Sequence, residues 1–200
     1  MTIKFQPLAL WTVANLLIGI AAPMPVQAQP GQLCGTDGSY EEPSETTRVV
    51  ELPDFDIAVS IPENYRTMKF EDGSVQILHP DDFEWLRCLA NGGSGAGGYY
   101  SESIQQVAPD PTMSLQEQAT LLAGYSTNPD GSRTPIATEV LHYQENGLDG
   151  YIGWYPYAYG HSFLGTVTGS DRLLRVSTGC DCEVELESLL DLLSKIRPLN

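Results

Sequence analysis

Leu186, Leu189, Leu190, Leu193 and Ile196 recur at helical spacing and form one apolar stripe near the C-terminus. A helix carrying such a stripe cannot bury it alone, so it must cover a sheet. Residues 162–168 and 172–178, just upstream, read as two strands joined by Gly169-Ser170-Asp171. The ends of the helix are also marked. Asp181 is placed to cap its N-terminus, and Glu183, Glu185 and Glu187 suit the positive end of the dipole. Lys195 and Arg197 suit the negative end, and Pro198 stops the helix.

The rest of the chain is organised by hairpins. Phe55, Ile57, Val59 and Ile61 alternate with polar or small residues, the pattern of a strand with one buried face. Residues 66–71 and 74–78 flank Asp72-Gly73, and residues 136–144 and 148–157 flank Asn146-Gly147; both dipeptides are hairpin signals. Residues 81–91 read as a short helix closed by Gly92, and residues 92–98 as a flexible glycine-rich loop. Residues 99–107 form another strand, with poor alternation. Ser114 and Glu117 make a capping box that opens a helix to about Tyr125. Hairpins make antiparallel pairs, so the fold class is α+β, an antiparallel sheet flanked by helices.

Residues 1–28 read as a cleaved signal peptide. Lys4 precedes an apolar run over residues 8–22, and Val26-Gln27-Ala28 fits a cleavage site. The run is shorter than the ~20 apolar residues of a spanning helix, so no integral membrane segment is expected after cleavage. Residues 29–52 read as a poorly structured, turn-rich arm, and residues 53–200 as a single α+β domain. Cleavage removes one cation and no acid, taking the formal net charge from −16 to −17 and leaving 172 of the 200 residues. Such acidity argues against nucleic acid and anionic membrane surfaces as partners.

Cys34, Cys88, Cys180 and Cys182 all lie beyond residue 28, an even number in a chain read as exported, so two disulfides are expected. A Cys180–Cys182 bridge would close a very small ring. The favoured reading therefore joins Cys88 to one of that pair and Cys34 to the other. The expected compartment is the periplasm, the thylakoid lumen or the extracellular space.

The order of elements and several local phrases resemble the PsbP/Mog1-like family. The phrases are Phe55-Asp56-Ile57-Ala58-Val59-Ser60-Ile61-Pro62-Glu63-Asn64-Tyr65, the helix over residues 114–125 and the Asn146-Gly147 hairpin with Tyr151 and Trp154. Asp171-Arg172-Leu173-Leu174 and the closing Lys195-Ile196-Arg197-Pro198 complete the likeness. Residues 81–98 and the Cys-x-Cys pair depart from that pattern. The resemblance implies an α-β-α sandwich used as a non-catalytic binding or assembly module, its partner another protein or a small ligand. It carries over no functional residue.

No catalytic set, cofactor site or metal site is read in the sequence. Gly93-x-Gly95-x-x-Gly98 matches a dinucleotide fingerprint in letters only, since it lies outside any strand–turn–helix unit. Gly160-His161-Ser162-Phe163-Leu164-Gly165 has one residue too many for a nucleophile elbow, and His79 and His142 are its only other histidine partners. Asn128, Asp130 and Gly131 fall short of a calcium loop and read as a turn. Two features remain as function candidates. Cys180 and Cys182 could form a redox pair near a helix N-terminus, which makes a thiol-disulfide protein the alternative to a binding module. Tyr155, Tyr157 and Tyr159 flank Pro156 and could form a partner surface.

Overall fold

The computed structural model of the chain describes residues 32–35, 41–136, 139–155, 160–180 and 184–199. Its first half contains β1 (Thr47–Leu52), a 3-10 turn (Pro53–Phe55), β2 (Ile57–Pro62), β3 (Arg66–Lys69), β4 (Val75–Leu78), α1 (Pro80–Ala90) and β5 (Ser101–Val107). Next come α2 (Leu115–Leu122), β6 (Tyr125–Thr127), β7 (Arg133–Pro135), β8 (Leu141–Glu145) and β9 (Leu148–Tyr155). The chain closes with β10 (Gly160–Val167), β11 (Leu173–Gly179), α3 (Leu186–Ser194) and β12 (Ile196–Pro198).

Seven strands form one sheet in the order β3-β4-β5-β11-β10-β9-β8, and β1, β2 and β12 form a second. Every ladder in these sheets is antiparallel. The fold is therefore α+β, as expected. On one face of the large sheet, Ile77, Ile104, Ile152, Phe163, Leu174 and Val176 pack with Ile57, Val59 and Ile61 of β2 and with α3. Leu189, Leu192 and Leu193 of α3 are fully buried there, each worth about 2 kcal/mol relative to exposure. On the other face, Ala119 of α2 packs on Leu164 and Leu173.

Local chemistry explains several joints. Ser114 and Glu117 complete the capping box of α2 in both directions. Asn146 and Gly147 take φ of 53° and 78°, the two positive values a type I′ turn requires between β8 and β9. Gly150 and Gly165 face each other across the β9–β10 ladder. A Cβ on Gly165 would lie 2.2 Å from Cζ of Phe163, so the missing side chain leaves room for that ring. Phe163 then meets Tyr143 edge-on, with centroids 5.8 Å apart.

The structure corrects the favoured cysteine pairing: Cys34 is bonded to Cys88, so neither joins Cys180 or Cys182. Cys180 is itself in a disulfide, and Cys182 lies outside the described residues. The physical reason is the glycine-rich run. The Cys34 amide donates to the Ser94 carbonyl at 2.7 Å and the Ser94 amide to the Gln32 carbonyl at 2.9 Å, forming a short parallel bridge. A Cβ on Gly93 would lie 2.3 Å from the Cys34 sulfur and 2.7 Å from that of Cys88. The run expected to be a flexible loop thus docks residues 32–35 beside α1.

Other boundaries also move. Part of the expected arm, Thr47–Leu52, is β1, paired along its length with β2. Helix α3 begins after Glu185, with no side-chain cap; Asp181 and Glu183 lie outside the described residues. The helix ends at Ser194, because Ile196 to Pro198 turn away to pair with β2 as β12. The Asp72-Gly73 hairpin is wider than two residues, with the Phe70 amide donating to the Ser74 carbonyl at 2.8 Å.

Candidate functional site

The inward face of the large sheet is apolar along most of each strand and changes character at one end. Alternation along β5 places Glu102 on the same face as Ile104, which is fully buried. Glu102 stands opposite Thr178 of β11 on one side and Ile77 of β4 on the other. His161 stands opposite Trp154, and the β10–β11 ladder, one step past its Ser162–Ser177 pair, brings His161 beside Thr178. Trp154, His161, Thr178 and Glu102 therefore form one row across four strands.

Two atoms of this row lack partners among the described residues. The Thr178 hydroxyl is buried with no hydrogen bond, and so is Nδ1 of His161. Most buried polar groups are satisfied, so such atoms call for an explanation. Burial holds the His161 imidazole below its ordinary value, partly offset by a backbone hydrogen bond at Val184 and by Glu185 and Glu187. Its ring meets Trp154 edge-on at 5.0 Å.

Glu102 opens into a cleft of about 290 Å³ between β5, the end of β2 and α3. Pro43, Ser60, Ile61, Pro62, Tyr65 and Tyr100 line one side, and Ser188, Asp191 and Lys195 of α3 the other. The Tyr100 hydroxyl lies 3.4 Å from Oε1 of Glu102. Lys195 donates to Asp191 at 2.5 Å across one helical turn. Burial pushes the Glu102 carboxyl up to about 7, with Lys195 opposing the shift and the Asp191 charge adding to it. Burial and the Glu102 charge in turn push the Tyr100 phenol well above its ordinary value.

A carboxyl poised near neutrality in a partly apolar cleft can hold or release a proton at physiological pH, and such groups cluster at functional sites. It can also take a charged or hydrogen-bonding ligand, because Tyr100 is its one direct partner among the described residues. The sequence reading did not find Glu102. The signal was present in the poor alternation of residues 99–107, where an acid occupies an inward position.

The residues singled out from the sequence do not converge. Ser162 is buried in β10. His142 is bound to Asp149 at 2.9 Å on β8, and His79 is buried at the start of α1 against the Glu41 carbonyl. Gly93 and Gly95 face the Cys34–Cys88 bridge and its surroundings. Asp130 accepts from the Ser132 amide and hydroxyl, which closes a turn. Cys180 follows directly on β11, two residues beyond Thr178. Tyr155 ends β9, while Tyr157 and Tyr159 lie outside the described residues. Among the described residues, no helix is long and apolar enough to cross a membrane.

No family model matches the chain, and a search of the curated proteins finds no match.

Proposed function

We propose that the protein is an exported, non-catalytic binding module of PsbP/Mog1-like type, an α-β-α sandwich stapled by disulfides, with its ligand taken in the Glu102 cleft. The observation that carries this reading is the placement of Glu102. A carboxyl on the inward face of a central strand, directed into a cleft and bonded to no cation among the described residues, costs stability. Such a cost is often retained where a site uses the group. The layers fit the sandwich, with α2 on one face of the sheet and α3 with the small sheet on the other. The Cys34–Cys88 bond is compatible with an oxidising compartment outside the cytoplasm.

The test is a thermal-shift screen of small cationic, anionic and neutral molecules on the wild-type chain, repeated on Glu102→Gln and Tyr100→Phe. Stabilising hits that disappear in both variants support the reading. Hits that survive unchanged in both variants would place the binding site elsewhere and contradict it.

A second reading is a thiol-disulfide redox protein using the Cys180-x-Cys182 pair. The specific observation in its favour is that Cys34 and Cys88 bond each other, which leaves an oxidised Cys180 outside that staple. Under this reading Cys180→Ser abolishes catalysis of insulin disulfide reduction without unfolding the protein. Equal activity in the variant would exclude it.

A further inference from the structure

We infer that the cleft between β5, the end of β2 and α3 takes a small primary ammonium ligand with an apolar or aromatic tail, its charge set against Glu102 and Asp191 and its tail against Tyr65 and Tyr100. This rests on the reading of the cleft as the ligand site and adds the chemical class of the ligand.

Size comes first. At about 290 Å³ the cleft lies at the lower end of the ~300–1,000 Å³ typical of ligand pockets, so the occupant is small. Charge comes next. With Glu102 ionised, the cleft holds two carboxylates against one ammonium, and Lys195 is already engaged by Asp191 at 2.5 Å. One negative charge is left over, and it is on Glu102. An anion would have to displace Asp191 from Lys195 and approach a chain of formal net charge −16, whose field attracts cations and repels anions.

The lining supplies the rest of the recognition. Tyr65 and Tyr100 line the cleft, and a tyrosine ring attracts a cation set over its face. Pro43, Ile61 and Pro62 provide apolar wall for a short tail. An ionised carboxyl has about four lone-pair sites, and Tyr100 occupies one, so an ammonium with three donors finds acceptors waiting. The neighbouring Thr178 hydroxyl, buried and unpartnered among the described residues, stands beside Glu102 in the ladder and adds an unused polar atom on the same face.

Binding of a cation is coupled to protons through Glu102. The titratable or charged groups facing it are Tyr100 on its own strand, Tyr65, Asp191 and Lys195 across the cleft, and His161 along the row. The carboxyl is pushed up to about 7, so at pH 5.5 it is mostly protonated and at pH 7.5 mostly ionised. An ammonium that needs the ionised form should bind roughly 20-fold more tightly at pH 7.5 than at pH 5.5.

The experiment is a titration of the full chain, followed through backbone amide resonances, with three probes of one shape: benzylammonium chloride, benzyl alcohol and sodium benzoate. Benzylammonium should shift the Glu102, Ser188 and Asp191 amides saturably, about 20-fold more tightly at pH 7.5 than at pH 5.5. Glu102→Gln should remove that pH dependence, and Lys195→Met, which removes the resident cation, should tighten binding. Benzoate or benzyl alcohol shifting these amides where benzylammonium does not would overturn the ammonium class while leaving the cleft as a ligand site. If none of the three moves them, both the class and the cleft reading fall.

Discussion

Glu102 stands directly across the β5–β11 ladder from Thr178, so a carboxyl and a buried hydroxyl with no partner among the described residues lie side by side on the face that α3 covers. The next inward positions of the same strands, two residues on, are Ile104 and Val176, both fully buried. Two residues along the ladder therefore separate close-packed core from a polar row. Within a sheet whose face is otherwise apolar, that change is the clearest mark of a site.

Replacing Glu102 by Gln should stabilise the protein at high pH and leave it unchanged at low pH. An unfolded glutamate loses its proton near the ordinary 4.5, whereas the folded one holds it to about 7. Between those values the unfolded chain binds fewer protons, so stability falls as pH rises from about 4.5 to about 7 and is level above that. The full difference is on the order of 3 kcal/mol. Urea unfolding of both forms at pH 4 and pH 8 measures it. A gap of the same size at both pH values would refute the assignment.

Asp191 and Lys195 should move the Glu102 titration in opposite directions. Asp191 raises it through like charge, and Lys195 lowers it. Asp191→Asn should thus bring the carboxyl down, because it removes a repelling charge and releases Lys195 from its pair. Lys195→Met should push it up. Side-chain carboxyl carbon shifts followed against pH read both, and shifts of the same sign in the two variants would contradict the geometry.

Gly93→Ala should damage the N-terminal staple. Its Cβ would meet both sulfurs of the Cys34–Cys88 bond at under 3 Å, and the Cys88 carbonyl at 3.0 Å. Gly93→Ala should therefore leave Cys34 and Cys88 partly reduced in protein refolded in a glutathione buffer, while Gly35→Ala, next to the same cysteine, should not, because its Cβ meets nothing within 4 Å. Free-thiol counting after refolding decides it. In the chain-entropy account a bridge across 54 residues is worth roughly 4 kcal/mol, so the loss should also appear in unfolding midpoints.

Gly165→Ala should cost about 1–3 kcal/mol, the usual penalty for forcing extra volume into a packed core. The added methyl would meet the Phe163 ring at 2.2 Å and the Asp149 carbonyl at 2.4 Å. Pairing it with Phe163→Leu should recover part of the loss, because the ring is one of the two obstacles. Denaturant unfolding of the single and double variants gives the coupling, and strict additivity would show that the ring is not the obstacle.

Much of the frame was legible in the sequence because local chemistry decided it. The leucine stripe of α3, the Ser114–Glu117 box and the positive φ values at Asn146 and Gly147 each depend on residues within a few positions of one another. What depended on distant partners was not legible. The Cys34–Cys88 bond exists because residues 32–34 align with Ser94, and no local spacing encodes that alignment. Ile196 leaves the helix for a pairing with Val59, although its spacing continues the stripe. Glu102 was hidden for a related reason. An acid at an inward strand position reads as broken alternation until the neighbouring strand and the helix above it are in place.

The most direct measurement is the titration of the Glu102 side-chain carboxyl, followed by its carbon chemical shift from pH 3 to pH 9 and assigned by comparison with Glu102→Gln. The account requires a midpoint near 7, far above its ordinary 4.5. A midpoint near 4.5 would mean that the carboxyl is solvated like any surface glutamate, and the cleft would then lose its claim to be the site.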